Sequence, residues 1–239
     1  MKSSSQNGTV VLVHGAWADG SCWSNVILPL RHQGLNVTSA PIPLTSLTDD
    51  IAALNRAIER TSGPVTLAGH AYAGAVIAGT TEERVRALVY IAALAPDEGE
   101  TVADVFYRGD PHPAAPHLAP DVRGFIWMPE EGFGQAVAHN VSPDQAAILA
   151  AVQRPIALKC IQEKAPKPAW KTKPSWFLIA EEDRMISAET QRYMAQRMGA
   201  TIRSHAVDHS PMYTAPNLVV DIVLEAVGHA VSPMAVSGA

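Results

Sequence analysis

The feature that most constrains this chain is a strand pattern that runs directly into a cluster of small residues. Residues 65–68, Val-Thr-Leu-Ala, are typical of a strand buried on both faces, and residues 69–74 are Gly-His-Ala-Tyr-Ala-Gly. A strand that turns sharply into a helix needs small residues around the apex, because the chain doubles back closely there. We therefore predict a strand–turn–helix unit with Ala71 at its apex. An ordinary tight turn would fit the two glycines equally well.

Strand and helix patterns alternate on both sides of this unit, which is typical of a parallel sheet with helices on both faces. At 239 residues the chain fits one domain, so we predict a single doubly wound, mostly parallel α/β fold. The predicted strands are 9–13, 36–40, 65–68, 87–92, 175–180 and 201–205. The predicted helices are 21–32, 47–61, 188–198 and 215–228, with one more beginning just after residue 71.

The sequence pattern changes between the fourth and fifth predicted strands. Residues 98–170 contain recurring prolines and only short helical segments. We interpret them as an inserted helical cap rather than as further strands. The chain then divides into an α/β core, residues 1–97 and 171–239, and a cap, residues 98–170. The tail after His229 is expected to be poorly ordered.

Composition argues against several classes of function. The net charge of −5 and the scattered Lys and Arg residues argue against a nucleic-acid partner, and no apolar run is long enough to predict a membrane span. Residues 1–8 lack an apolar segment, so we expect no signal peptide and a cytoplasmic location. Cys22 and Cys160 show no metal or redox spacing and are expected to be free thiols.

No cofactor or metal is expected either. The segment 69–74 does not match a phosphate-binding glycine loop, and it lacks the Lys-Ser/Thr ending of a nucleotide-binding loop. The expected partner is a small molecule. The sequence leaves the oligomeric state open, and a homodimer is one option.

The loop after the first predicted strand can supply a hydrogen-bond donor to the apex. It begins His14-Gly15-Ala16, and its glycine lets a backbone N–H, that of Ala16, face the turn. Acyl transfer needs donors aimed at a developing oxyanion, and the N–H of Tyr72 would be the second one. The pair of segments therefore predicts an oxyanion site beside residue 71.

An acid and a histidine follow the last two predicted strands. Asp183 lies just beyond the strand 175–180 and is the predicted orienting carboxylate, with Glu181 and Glu182 as alternatives. His209 follows the strand 201–205 and is the predicted general base. The carboxyl ends of parallel strands meet at one edge of a sheet, so these side chains should converge on residue 71.

Together these segments resemble the α/β-hydrolase superfamily, and within it the small bacterial esterases related to plant hydroxynitrile lyases and methyl-salicylate esterases. Residues 11–23 resemble the first-strand signature of those enzymes, and residues 69–74 resemble their Gly-His-Ser-Tyr-Gly-Gly elbow. Residues 90–100 and the Asp183 and His209 segments also fit. The resemblance implies an α/β-hydrolase fold, a triad at positions 71, 183 and 209, and an oxyanion hole at the N–H groups of Ala16 and Tyr72.

The chain departs from this family at the nucleophile, because position 71 is alanine where serine is expected. A methyl group cannot attack a carbonyl, so the covalent step of the family mechanism is missing. An engineered Ser→Ala change that traps intact substrate would explain this, as would a natural protein that has lost hydrolysis. We favour the first explanation, because an abandoned site would be free to lose Asp183 and His209 as well.

The leading hypothesis is a serine-type carboxylic-ester hydrolase, inactive as written, for a small, largely apolar ester. His14, Trp17, Trp127 and Met212 are the predicted substrate contacts. A hydroxynitrile-lyase activity is the second hypothesis, although Gly15 and Ser210 occupy the positions where those lyases carry Thr and Lys. A non-hydrolytic small-molecule-binding relative is the third, and a cofactor-free oxygenase that uses His209 and Asp183 is more distant.

Overall fold

The protein is described here by a computed structural model covering residues 8–231. Its strands are β1 (Thr9–Val13), β2 (Asn36–Ala40), β3 (Val65–His70), β4 (Val85–Ile91), β5 (Phe125–Ile126), β6 (Ile156–Ala157), β7 (Ser175–Ala180) and β8 (Thr201–His205). Six of them form one sheet in the order β2-β1-β3-β4-β7-β8. Every neighbouring pair in that sheet is parallel, as predicted.

The helices cover both faces of this sheet. They are α1 (Ser24–His32), α2 (Leu47–Glu59), α3 (Ala73–Ala78), α4 (Val102–Phe106), α5 (Glu130–Gly132), α6 (Pro143–Ala151), α7 (Leu158–Gln162), α8 (Ala188–Arg197), α9 (Pro211–Thr214) and α10 (Pro216–Val231). Short 3-10 turns lie at Gly20–Trp23 and Ala169–Lys171, and a π-helical turn lies at Phe133–Val137.

Alternate residues of each central strand enter two separate hydrophobic cores. In β1, Val11 and Val13 pack with α2 and α3, whereas Val10 and Leu12 pack with α1 and α10. The side-chain period of a strand is two, so a strand that is buried on both faces needs an unbroken apolar run. The predicted doubly wound α/β-hydrolase fold is therefore confirmed.

The residues 98–170 differ from their prediction in one respect. They contain a two-stranded antiparallel sheet in which Phe125 pairs with Ala157 and Ile126 pairs with Ile156. The expectation that this segment holds no further strands was therefore wrong. Strands of two residues are too short to produce an alternating hydrophobic pattern, which explains why the sequence did not indicate them.

Two terminal predictions are only partly covered by residues 8–231. Helix α10 continues through Val231, so the expectation of disorder directly after His229 was wrong for residues 230 and 231. Residues 232–239, and all but Gly8 of the segment that bears on a signal peptide, lie outside the described residues. No helix within residues 8–231 is long and apolar enough to cross a membrane. Cys22 and Cys160 are both free and buried, as predicted.

Candidate active site

The turn between β3 and α3 has the tight geometry that its small residues predict. Ala71 lies between the two elements with a φ of 50°, a left-handed conformation that non-glycine residues adopt only at a cost of about 1–3 kcal/mol. A Cβ placed on Gly69 would lie 2.8 Å from the carbonyl oxygen of Ala73, and one placed on Gly74 would lie 2.3 Å from that of Leu94. The turn therefore excludes larger side chains at both glycines.

A single cavity lies above this turn. Of the predicted site residues it brings together six, namely Ala16, Trp17, Ala71, Tyr72, His209 and Met212. Most of the other lining residues are apolar and come from the 98–170 segment, among them Val102, Phe106, Ile126, Phe133, Leu149 and Ile156. Among residues 8–231 the lining includes one carboxylate, Asp19, and neither Lys nor Arg. The cavity is thus an apolar space with a small polar group at the sheet edge.

His209 and Asp183 form a buried hydrogen-bonded pair. The Nδ1 of His209 lies 2.7 Å from Oδ2 of Asp183, and both side chains are almost completely buried. Oδ1 of Asp183 accepts the backbone N–H groups of Met185 and Ile186. Oδ2 also accepts the side-chain amide of Gln191 at 2.8 Å. An ionised carboxylate only accepts hydrogen bonds, so Nδ1 is the donor, and in the neutral imidazole Nε2 then carries the lone pair.

The two alternative acids do not approach the cavity. Glu181 is exposed and is bound by Arg192 and Ser204, and Glu182 is exposed as well. Asp183 does not line the cavity itself but lies behind His209. That arrangement suits a residue that orients the imidazole without touching a ligand.

Two backbone N–H groups beside the turn are unpaired. Within residues 8–231, neither the N–H of Ala16 nor that of Tyr72 donates to a protein acceptor, and both residues line the cavity. The loop of Ala16 lies close to the turn, since a Cβ on Gly15 would be 3.1 Å from that of Ala71. The indole N–H of Trp17 donates to the carbonyl of Ile126 at 3.0 Å, which fixes the loop against β5.

Two predicted substrate contacts lie elsewhere. Trp127 is 50% exposed and directs its indole N–H to Asp121. Its neighbour Ile126, the last residue of β5, lines the cavity instead. His14 is fully buried behind the loop, with Nδ1 3.0 Å from the carbonyl of Gly15. Neither residue lines this cavity, and their role as substrate contacts stays a prediction.

Asp50 is a buried site residue that the sequence analysis missed. Its Oδ2 accepts the hydroxyl of Tyr72 at 2.7 Å, and its Oδ1 accepts the N–H of Leu44 at 2.7 Å. The Cys160 thiol lies 3.6 Å from Oδ2. Burial raises the pKa of Asp50 and raises that of Tyr72 well above its usual range. The available signal was an acid at position 50 on the stripe 47, 50, 54 and 58, whose members are all buried.

We expect Asp50→Ala to destabilise the fold by about 2–4 kcal/mol, because it leaves the Tyr72 hydroxyl and the Leu44 N–H without their buried acceptor. Asp49→Ala is the matched control, since Asp49 lies in the same helical turn but is exposed, and its carboxylate accepts the Thr45 hydroxyl at the surface. Urea unfolding of both variants measures the difference. Equal loss in the two variants would contradict the role assigned to Asp50.

His70 supports the loop that carries His209. Its Nε2 lies 2.7 Å from the carbonyl oxygen of His209, and the two rings are 4.8 Å apart. Burial lowers the pKa of His70 well below 6.5, and it lowers that of His14 as well. Both imidazoles are therefore neutral in the folded protein at pH 7, and His70 donates its proton to the backbone of His209.

These two histidines predict acid sensitivity. Below pH 6.5 the unfolded chain protonates them while the fold resists, so the free energy of unfolding should fall as the pH drops from 6.5 toward 5. His70→Gln keeps an N–H for the His209 carbonyl and should reduce this pH dependence. His32→Gln, at an exposed position, should not. Urea midpoints measured from pH 5 to 8 test this, and an unchanged slope in His70→Gln would contradict it.

Comparison with known proteins agrees with this geometry. The sequence pattern of the Alpha/beta hydrolase family matches residues 10–234. A carbendazim-hydrolysing esterase of Nocardioides sp. (strain SG-4G) is 32% identical over 107 residues, which are 38% of this chain and 44% of that protein. Methylesterase 2 of Arabidopsis thaliana is 24% identical over 246 residues, covering 90% of this chain and 94% of the relative.

Solved structures show the same fold. A mutant of polyneuridine aldehyde esterase superposes with a TM-score of 0.78 at 17% identity, covering 92% of this chain and 99% of that one. A pyrethroid hydrolase from Sphingobium faniae JZ-2 superposes with a TM-score of 0.75 at 20% identity, covering 92% and 97%. The chain belongs to the α/β-hydrolase family, and its relatives include esterases.

Proposed function

We propose that this cavity is the active site of a carboxylic-ester hydrolase in which residue 71 occupies the nucleophile position. The observation that carries the proposal is the His209–Asp183 pair, which meets the apex of the strand–turn–helix unit in one cavity. A serine hydroxyl at position 71 would attack the ester carbonyl and pass its proton to Nε2 of His209. Asp183 would stabilise the resulting imidazolium.

The unpaired N–H groups of Ala16 and Tyr72 supply the remaining part of this mechanism. In the tetrahedral intermediate the carbonyl oxygen becomes an anion, and donors that need no rearrangement stabilise it strongly in an apolar site. Collapse of the intermediate would expel the alcohol, which takes the proton back from His209. Water would then release the acid by the same two proton transfers. With Ala71 in place of a serine the nucleophile is missing, so neither the attack nor the covalent intermediate of the later steps can form.

The lining of the cavity supports a small, largely apolar ester as substrate. It offers apolar side chains from the 98–170 segment, which we interpret as a cap, and the described part of the chain places no Lys or Arg there to hold a free carboxylate. A carboxylate product would therefore leave readily. The names of two relatives, a carbendazim-hydrolysing esterase and a methylesterase, also indicate ester hydrolysis.

We further propose that Ala71 stands in place of a serine, whether by design or in nature, and that the chain therefore binds an ester without cleaving it efficiently. Asp183 is retained together with three donors besides His209, namely the N–H groups of Met185 and Ile186 and the side-chain amide of Gln191. Their presence supports a site in which His209 is still held as a base. A lyase of the hydroxynitrile type is disfavoured, because Ser210 at the cavity offers no cation for cyanide.

The test is hydrolysis of p-nitrophenyl butyrate by the Ala71→Ser variant, followed at the absorbance of the released phenolate. A large gain over the unaltered chain is expected. A variant that folds normally and remains at background would overturn the proposal and would favour the non-hydrolytic binding function.

A further inference from the structure

The base of this site is free to act on a bound ligand in the chain as it stands. Nδ1 of His209 is occupied by Asp183, and within residues 8–231 its Nε2 has no hydrogen-bond partner. His209 lines the cavity together with Ala71, whose side chain is a methyl group. No hydroxyl at position 71 competes for the lone pair of Nε2. The proton that this base takes must therefore come from water or from the ligand.

The surroundings favour removal of a proton from carbon. Carbon acids next to a carbonyl ionise only if the enolate oxygen is stabilised, and the N–H groups of Ala16 and Tyr72 are unpaired at the same cavity. The neighbouring His70 is neutral, because burial lowers its pKa well below 6.5, so it places no positive charge beside His209. The apolar walls exclude water, which strengthens the hydrogen bonds from the two N–H groups to an enolate oxygen and the interaction of His209 with Asp183.

We propose that the chain with Ala71 catalyses exchange of the protons α to the carbonyl of small, apolar ketones, with His209 as the base and the N–H groups of Ala16 and Tyr72 as the enolate site. This activity goes beyond ester hydrolysis, since it forms no covalent intermediate and needs no nucleophile. The reaction would use His209, Asp183 and the N–H groups of Ala16 and Tyr72.

The step balances without an oxidant or a second reactant. The α-proton passes to Nε2 of His209, and the electron pair of the C–H bond becomes the carbon–carbon double bond of the enolate. The carbonyl oxygen takes the negative charge and accepts the two N–H groups, while Asp183 stabilises the imidazolium. In D2O the Nε2 proton exchanges with solvent, and return of a deuteron to carbon restores the ketone with one C–D bond.

The test uses the unaltered chain and phenylacetone, an apolar ketone with benzylic α-protons, in D2O at neutral pH. Loss of the α-proton signal in the NMR spectrum gives the exchange rate. General-base catalysis by a positioned side chain contributes about 10²–10⁴-fold, so exchange should exceed that caused by an equal concentration of imidazole by about 10²-fold or more. Exchange no faster than with free imidazole would overturn the proposal.

Matched variants assign the base. His209→Gln should abolish the excess rate, Asp183→Asn should lower it strongly, and His32→Gln, at an exposed position, should leave it unchanged. Thermal unfolding verifies that each variant is folded. A folded His209→Gln that retains the excess exchange would also overturn the proposal. Ester hydrolysis is measured on Ala71→Ser and exchange on the unaltered chain, so one function can fail while the other stands.

Discussion

Ala71→Ser is expected to raise the rate of hydrolysis of a small apolar aryl ester by about 10⁴–10⁶-fold, because loss of a triad member in comparable enzymes costs about that much. The expected gain in rate is large because the other groups of the site are already present. His209 is held by Asp183, and the N–H groups of Ala16 and Tyr72 are unpaired at the cavity. The new hydroxyl needs only to reach Nε2 of His209.

The same substitution should hardly alter stability. Residue 71 already has a φ of 50°, and serine adds one oxygen to a side chain that faces a cavity rather than a packed core. Because the side chain of this buried residue borders the cavity, we expect the free energy of unfolding to change by less than about 1 kcal/mol. An increase in esterase activity with an unchanged melting temperature would therefore result from the new hydroxyl group and not from a change in stability.

Double variants separate the triad from adventitious catalysis by the new hydroxyl. Ala71→Ser with His209→Gln should lose nearly the whole gain, since the hydroxyl is a weak nucleophile without a base. Ala71→Ser with Asp183→Asn should lose most of it, because the amide no longer selects the Nδ1–H tautomer. Release of the phenolate that persists in the first double variant would mean that another residue activates the serine, and the assigned triad would be wrong.

The strands of the central sheet could be predicted because each central strand fills two cores at once. All five residues of β1 are buried, and a strand of this kind is recognised in the sequence by its apolar run. The turn at Ala71 was predictable for a related reason, since the close approach of Leu94 to Gly74 leaves room for hydrogen alone. The apolar run of β1 and the small residues around Ala71 are both continuous stretches of sequence, so each could be recognised without knowledge of the rest of the fold.

The cavity wall was less predictable, because it depends on contacts between distant segments. Trp127 and Ile126 are neighbours in the chain, yet of the two only Ile126 lines the cavity. Ile126 ends the two-residue strand β5, which is too short to leave an alternating pattern in the sequence. Asp50 is 22 residues before Tyr72, and their hydrogen bond depends on how α2 packs against the turn. Such pairings become visible only when the elements have been assembled in three dimensions.

Gly74→Ala is expected to destabilise the fold by about 3 kcal/mol or more, which exceeds the usual cost of adding one carbon to a packed interior. The added Cβ would lie 2.3 Å from the carbonyl oxygen of Leu94 and 2.9 Å from the Cβ of Ala93. Leu94 cannot retreat without cost, because its own N–H donates to the carbonyl of Ala71 at 3.0 Å. The clash is therefore with backbone that is fixed to the apex of the turn.

Gly228→Ala is the matched control for this prediction. Position 228 is exposed in α10, and among residues 8–231 a Cβ there would meet no atom within 4 Å. Replacing a helical glycine with alanine should stabilise the protein by about 0.4–1 kcal/mol. Thermal and urea unfolding of the two variants should thus move in opposite directions, with Gly74→Ala losing about 6 °C or more in Tm for a chain of this length. A normal Tm in Gly74→Ala would mean that the turn is looser than described, and the placement of residue 71 as a nucleophile apex would lose its structural basis.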